Sequence, residues 1–210
     1  MAQRGPGGTW LLFGLGIAAL ALLASSSPTH TAPQPLPPPP PPPLTPRETE
    51  LLRYAGRAVE VVARFLGRAC PPLLYVRDGD RNAWSDGQAV YVNLAWLDRE
   101  LRDACLDQVC ETAEVHCIMA HEMAHHVLHH AGPFAYVDHC PANHAIELEA
   151  DRVAGWVMAH IGVALSQPFR VLSKTAPHSC THPQGHDRLG AYYEGVRLAE
   201  AGLPWWTSRS

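Results

Sequence analysis

Seven consecutive prolines, Pro37 to Pro43, divide the chain and limit where it can fold. Proline fixes φ and has no backbone N–H, so this block forms a stiff polyproline II rod of about 3.1 Å per residue. All 20 acidic residues and 15 of the 16 basic residues follow the block. We therefore expect residues 28–46 to be a proline-rich linker and residues 47–210 to be one globular domain.

An apolar run at residues 10–24 precedes the linker, with Arg4 before it and small residues after it. Fifteen helical residues span about 22 Å, which is short of the roughly 30 Å hydrocarbon core of a bilayer. The pattern is typical of a secretory signal peptide, which we place at residues 1–27. The alternative is an uncleaved N-terminal membrane anchor. Both interpretations export the domain to the periplasm or the extracellular space, and the second tethers it to a membrane.

The charge balance of the domain excludes one class of partner. Residues 47–210 carry 15 basic and 20 acidic side chains, a net charge of −5 with neutral histidines. A nucleic-acid partner requires a basic surface that neutralises phosphates, so we do not expect one. A multi-span membrane protein is not expected either, because the chain has only one long apolar run.

Hydrophobic spacing and turn signals predict a helix-rich α+β domain with a small β-sheet. Thr45, Pro46 and Glu48 predict the start of a helix, as N-cap, first helical residue and capping-box glutamate. Asn143 is the expected N-cap of a later helix. Strands are expected at 73–77 and 89–93, and further helices at about 98–110, 112–130, 143–161 and 186–201.

The predicted helix at 112–130 contains the motif His121-Glu122-x-x-His125. Residues four apart on a helix share a face, so both imidazoles can bind one zinc ion at about 2.0–2.1 Å. Glu122 can reach a zinc-bound water and activate it without ligating the metal. With 13 His and 11 Glu in 210 residues, chance predicts about 0.04 such motifs. We therefore expect one catalytic Zn²⁺ per chain.

The third zinc ligand is expected from the next predicted helix. A catalytic zinc usually has three protein ligands and one open position. Glu147 and Asp151 are again four residues apart, so either can ligate the metal while the other accepts the ring N–H of a ligating histidine. The alternative is that these acidic residues form only a solvated face.

Three motifs occur in a characteristic order: His121-Glu122-x-x-His125, Glu147-x-x-Ala150-Asp151 and Thr181-His182-Pro183-x-x-x-x-Arg188-Leu189. This order resembles the gluzincin family of zinc metallopeptidases that contains the CAAX prenyl endopeptidases, HtpX and the Oma1-like proteases. The first motif is common to many zinc peptidases, whereas the combination is much more specific. The resemblance covers roughly residues 82–192, and the segments 82–84 and 90–93 look like the family's strand beside the cleft.

The resemblance implies a zincin-like fold and the role of each site residue. Glu147 would be the third zinc ligand, and Asp151 would contact a ligand rather than the metal. His182 and Arg188 would line the active site, supporting the transition state, or brace its helices. The implied activity is a zinc-dependent endopeptidase that processes or quality-controls exported or membrane-associated polypeptides. Without the multi-span portion of the prenyl proteases and HtpX, the chain looks more like the soluble, exported members.

Two other functions share some of these features. A zinc-binding chaperone-like or scaffold module would have the same fold with weak or no hydrolysis, and the presence of Glu122 argues against it. A metal-storage protein would use the histidine density, since 12 of the 13 histidines lie between residues 116 and 186. For His126, His129 and His130, at the end of the motif helix, we expect solvated or helix-capping roles.

The six cysteines lie in the expected exported domain and predict up to three disulfides, with 15 possible connectivities. If Cys105, Cys110 and Cys117 shared one helix, their Cα separations of about 7.5 and 10.5 Å would exceed the roughly 7 Å limit for a disulfide. We therefore do not expect these residues to pair with each other. A Cys140–Cys180 bridge would join two segments that carry candidate site residues, and we favour it.

Overall fold

The computed structural model describes residues 42–79, 81–130, 140–163, 169–174 and 180–207. In chain order the elements are α1 (Pro46–Phe65), β1 (Leu73–Val76), β2 (Ala83–Ser85), β3 (Val90–Asn93), α2 (Leu94–Ala104), α3 (Gln108–Val127), α4 (Cys140–His160), α5 (Arg170–Ser173) and α6 (Gly185–Glu200). This confirms a helix-rich α+β domain with a small sheet. The expected signal peptide or anchor lies outside the described residues.

The sheet places a short strand beside the motif helix. Its strand order is β1-β3-β2, with β1 parallel to β3 and β2 antiparallel to it. Among the described strands, β2 pairs on one side only. β2 packs against α3, where Ser85 Oγ lies 3.3 Å from His126 Nδ1. The sheet therefore presents an edge strand next to the helix that carries both motif histidines.

Helix α1 begins as the sequence predicts. Thr45 Oγ1 accepts a hydrogen bond from the Glu48 N–H (3.2 Å), and the Glu48 carboxylate accepts one from the Thr45 N–H (2.7 Å). The buried face of α1 packs against α3. Arg47 adds ion pairs to Asp98 of α2 (2.8 Å) and Glu111 of α3 (2.7 Å). Three helices are thereby joined at one end of the domain.

The boundary between α2 and α3 corrects a sequence prediction. Asn93 ends β3 and accepts the Trp96 N–H (3.1 Å), so α2 starts directly after the strand. Asp107 accepts the Cys110 N–H (2.8 Å) and starts α3. Cys105 therefore lies in a break between helices, 5.4 Å from Cys110 by Cα atoms, and the two form a disulfide. The expectation that they do not pair was wrong because it assumed one continuous helix.

Helix α4 begins three residues before its predicted cap. Asn143 is therefore inside the helix, where its buried side chain donates to the Cys180 carbonyl oxygen (3.2 Å). Cys140, the first residue of α4, forms a disulfide with Cys180, as the sequence analysis favoured. The cap prediction was wrong because the partner of Asn143 comes from a distant segment that the disulfide holds in place.

Two glycines allow α4 and α6 to pack closely. A Cβ atom at Gly155 of α4 would lie 1.9 Å from the Tyr192 carbonyl oxygen. A Cβ atom at Gly195 of α6 would lie 1.8 Å from the Arg152 carbonyl oxygen. Real Cβ atoms do not approach backbone this closely, so the packing requires glycine at both positions.

The disulfides indicate an oxidising compartment outside the cytoplasm, as expected for an exported domain. Within the described ranges, no helix is both long enough and apolar enough to cross a membrane. The apolar segment at residues 10–24 lies outside those ranges.

Loss of the Cys140–Cys180 bridge should destabilise the domain more than loss of Cys105–Cys110. The first closes a loop with a sequence separation of 40 residues and the second one of 5. Loop-closure entropy therefore predicts losses of about 4 and about 2 kcal/mol. Urea unfolding of the two Cys→Ser double variants measures both. A larger loss from the short loop would contradict the expectation.

Candidate metal centre

The motif residues lie in the buried C-terminal half of α3. His121, Glu122 and His125 expose 2%, 7% and 8% of their surface. The small residues Ala120 and Ala124 are fully buried in the core on the same helix. Small neighbours let adjacent elements approach the helix closely, which brings other side chains within reach of the histidines.

The two imidazoles converge with the carboxylate of Glu147 on α4. His121 Nε2 lies 3.0 Å from His125 Nε2 and 3.2 Å from Glu147 Oε2. His125 Nε2 lies 3.4 Å from Glu147 Oε1. Ligands placed tetrahedrally at 2.0–2.1 Å from a zinc ion would be about 3.3 Å apart. The three buried residues can therefore hold one metal ion.

The contacts of Nδ1, the ring nitrogen that points away from the centre, determine the protonation of Nε2, the ring nitrogen that faces it. His121 Nδ1 lies 2.9 Å from Asp151 Oδ1. Because a carboxylate accepts only, the proton is assigned to Nδ1, and Nε2 then presents a lone pair. His125 likewise directs Nε2 at Glu147. With both Nε2 atoms deprotonated, as metal binding requires, two lone pairs and a carboxylate in a buried space would repel one another unless a cation lay among them. The donor set thus fits a metal ion.

The ionisation of the centre also favours a cation. Burial alone would lower the pKa of His121, but Asp151 and Glu147 outweigh burial and raise that pKa to about 10. Burial alone would raise the pKa of Glu147, yet its contacts with His121 and His125 hold it well below its usual range. A metal ion that binds here displaces a proton from the histidine pair.

Arg188 of α6 holds Asp151 in place. Its Nε donates to Oδ2 (2.7 Å) and its Nη2 to Oδ1 (2.8 Å). Nη1 donates to the Leu172 carbonyl oxygen (2.6 Å), so the guanidinium also ties α5 to the site. All these groups are buried. Of the two arrangements that the spacing allowed, the structure has Glu147 facing both Nε2 atoms and Asp151 against His121 Nδ1.

Glu122 lies beside the ligand group but is separate from it. Burial raises the pKa of its carboxyl group above the usual value. Within the described part of the chain, no hydrogen bond or ion pair engages this carboxylate. It is therefore available to accept a proton from a water molecule at the centre.

His182 lies at the solvent-facing edge of the centre. Its Nε2 is 3.5 Å from Glu147 Oε2, and its side chain is 37% exposed. The residue follows Cys180 by two positions, so the bridge to Cys140 holds its segment near the start of α4. Burial lowers the pKa of His182 below its usual value.

His130 is a neighbour of the centre that the sequence pattern did not predict. Its Nδ1 lies 3.2 Å from His125 Nδ1, and its Nε2 lies 3.5 Å from Glu149 Oε2. Burial and the nearby His125 lower the pKa of His130 to about 4. His129, at φ 58°, lies two residues beyond α3 in a left-handed conformation that turns the chain back. The residue in this left-handed position is usually glycine or asparagine, so a histidine there does not signal the turn in the sequence. Only the density of histidines pointed to the contact between His130 and His125.

The fold and the site together define a helix-rich α+β domain with a buried histidine–histidine–glutamate group that can hold a metal ion. No protein-family model, curated protein or solved structure matches the chain. Its function is therefore inferred from the geometry of its own residues.

Proposed function

We propose that the chain is a zinc-dependent endopeptidase that hydrolyses peptide bonds of exported or membrane-associated proteins. The observation that carries the proposal is the convergence of His121, His125 and Glu147 on one point, with Glu122 beside them. Two imidazoles and one carboxylate suit Zn²⁺ and are typical of catalytic zinc sites with an open position. The order of the gluzincin-like motifs supports the same activity.

In the proposed reaction, the metal ion, Glu122 and His182 each have a separate role. Bound Zn²⁺ would supply Lewis acidity, polarising the scissile carbonyl and making a water molecule more acidic. Glu122 takes the proton of the attacking water and delivers it to the leaving amine. Its raised pKa makes this carboxylate a stronger base than an exposed one. His182, at the open edge, supports the charge that develops on the carbonyl oxygen.

The position of β2 supports a polypeptide substrate. Among the described strands, this strand pairs only with β3, and it lies against α3. An extended peptide can add to such an edge through backbone hydrogen bonds, which read no particular sequence. The stacked rings of Trp84 and Tyr91, 4.7 Å apart by centroids, stiffen this part of the sheet.

The proposed enzyme works outside the cytoplasm, in the periplasm or the extracellular space. Its two disulfides favour an oxidising compartment. Residues 10–24 serve as an export signal or, if they are retained, as a membrane tether.

Metal removal is expected to abolish peptide hydrolysis, and about one equivalent of Zn²⁺ per chain should restore it. Elemental analysis measures the metal content, and fluorescently labelled casein measures hydrolysis, before and after dialysis against a chelator. Restoration by Mg²⁺ or Ca²⁺ is not expected, because these ions prefer oxygen ligands.

Two results of that experiment would contradict the proposal. A chain that binds zinc but cleaves no casein under any condition would favour the chaperone-like or scaffold function. A chain that binds several zinc ions would favour metal storage. The proteins cleaved in vivo can then be identified by comparing the proteomes of cells with the active and inactive enzyme.

A further inference from the structure

We propose that His130 and Glu149 are positioning residues for the metal ligand His125. In this arrangement His130 accepts the hydrogen of His125 Nδ1, and Glu149 accepts the hydrogen of His130 Nε2. The inference rests on the metal-binding part of the proposed function and does not depend on peptide hydrolysis.

The direction of each hydrogen bond follows from the contacts. His125 Nε2 points toward His121 Nε2 and Glu147 Oε1, at 3.0 and 3.4 Å, so it must present a lone pair to bind a metal. His125 Nδ1 therefore carries the ring proton and needs an acceptor. His130 Nδ1 lies 3.2 Å away and supplies one.

Acceptance at Nδ1 fixes the tautomer of His130 as well. A neutral imidazole that accepts at one nitrogen carries its proton on the other, so His130 Nε2 is the donor. This nitrogen lies 3.5 Å from Glu149 Oε2, which is longer than an ordinary hydrogen bond but leaves the carboxylate as the group that the N–H faces, and a carboxylate can only accept. All three groups thus have one consistent set of roles, with no donor facing a donor.

The turn after α3 holds His130 in this position. The His130 N–H donates to the His125 carbonyl oxygen (3.0 Å). This bond fixes the backbone of His130 next to His125, whose ring the His130 side chain contacts. The left-handed residue His129 makes this six-to-one bond possible. The His130 side chain is only 11% exposed, which limits competition from water for the His125 proton.

Each ligating histidine therefore has its own support. His121 is held by Asp151 and Arg188, which come from α4 and α6. His125 is held by His130, from the turn after α3, and His130 in turn faces Glu149 of α4. Loss of such outer contacts typically weakens metal affinity about 10- to 100-fold, because the ligand ring loses its orientation and tautomer.

Zinc affinity of the full chain tests the proposal, measured by competition with a colorimetric chelator. We expect the dissociation constant of His130→Ala to rise about 10- to 100-fold. His130→Gln should show a smaller rise, because its amide oxygen can accept the same proton. His129→Asn is the matched control: it removes the exposed neighbouring imidazole and tolerates the left-handed backbone, so it should bind zinc like wild type.

Two further readouts separate positioning from general loss of structure. In the zinc-loaded protein, the His125 Nδ1 proton should give a slowly exchanging NMR resonance that is absent from His130→Ala and present in His129→Asn. In a double-mutant cycle, Glu149→Ala should weaken zinc binding in the wild-type background and have little additional effect once His130 is replaced.

The outcomes distinguish this proposal from the metal centre itself. Wild-type affinity in both His130 variants, or full additivity of the His130 and Glu149 replacements, would overturn the positioning role. Failure of the wild-type chain to bind zinc would instead overturn the metal centre and the proposed function with it.

Discussion

Glu122→Gln is expected to retain zinc and fold while slowing peptide hydrolysis by about 10²- to 10⁴-fold. Glutamine has nearly the same shape but cannot accept and return a proton. Glu122 is not part of the ligand group formed by His121, His125 and Glu147, so its replacement should leave the metal in place. Labelled casein measures the rate, and elemental analysis of the same sample measures the zinc content.

A matched control separates this effect from the loss of any carboxylate. Glu100→Gln removes an acidic group on α2, outside the metal centre, and should hydrolyse casein at the wild-type rate. Wild-type activity in Glu122→Gln would exclude the residue as the base. Loss of zinc from Glu122→Gln would mean that the residue supports the metal rather than the proton transfer.

Gly195→Ala is expected to lower the free energy of unfolding by about 3 kcal/mol or more. The added methyl group would meet the Arg152 carbonyl oxygen at 1.8 Å and the Trp156 backbone nitrogen at 2.8 Å. Both are backbone atoms of α4, so no side-chain rotation can relieve the overlap. The two helices must separate, and Arg188 of α6 moves away from Asp151 of α4.

Gly190→Ala provides the control on the same helix. Apart from its chain neighbours and the nearby backbone of α6, no described atom lies within 4 Å of a Cβ placed at Gly190, so alanine should stabilise α6 by roughly 0.5–1 kcal/mol through its helix propensity. Urea unfolding of the two variants should therefore give changes of opposite sign. A neutral or stabilising Gly195→Ala would show that α4 and α6 do not pack as closely as described.

Local rules were enough to predict several parts of the fold. The α1 start follows from Thr45 and Glu48, whose reciprocal hydrogen bonds involve residues three apart. The convergence of His121 with His125 follows from helix geometry alone. The spacing of Glu147 and Asp151 indicated that both could face the site, although the tertiary fold was needed to show which of them faces the metal ligands.

Features that depend on distant partners were not predictable in this way. The short helix α5 went unpredicted because its first N–H groups are capped by a remote side chain. The Glu114 carboxylate accepts the Arg170 N–H (2.7 Å) and the Val171 N–H (3.2 Å) from 56 and 57 residues away. The prediction of Asn143 as a helix cap failed for the same reason, because its side chain donates to the Cys180 carbonyl oxygen in a distant segment.

The Cys140–Cys180 bridge makes the assembly of the metal centre depend on the redox conditions of the compartment that contains the chain. It fastens the start of the helix that carries Glu147 to the segment that leads into His182. Reducing conditions in the cytoplasm leave these thiols unpaired. In a newly made chain the two segments are therefore not yet joined. For the proposed peptidase, oxidation outside the cytoplasm would then join the two segments and complete the centre, so activity would appear only after export.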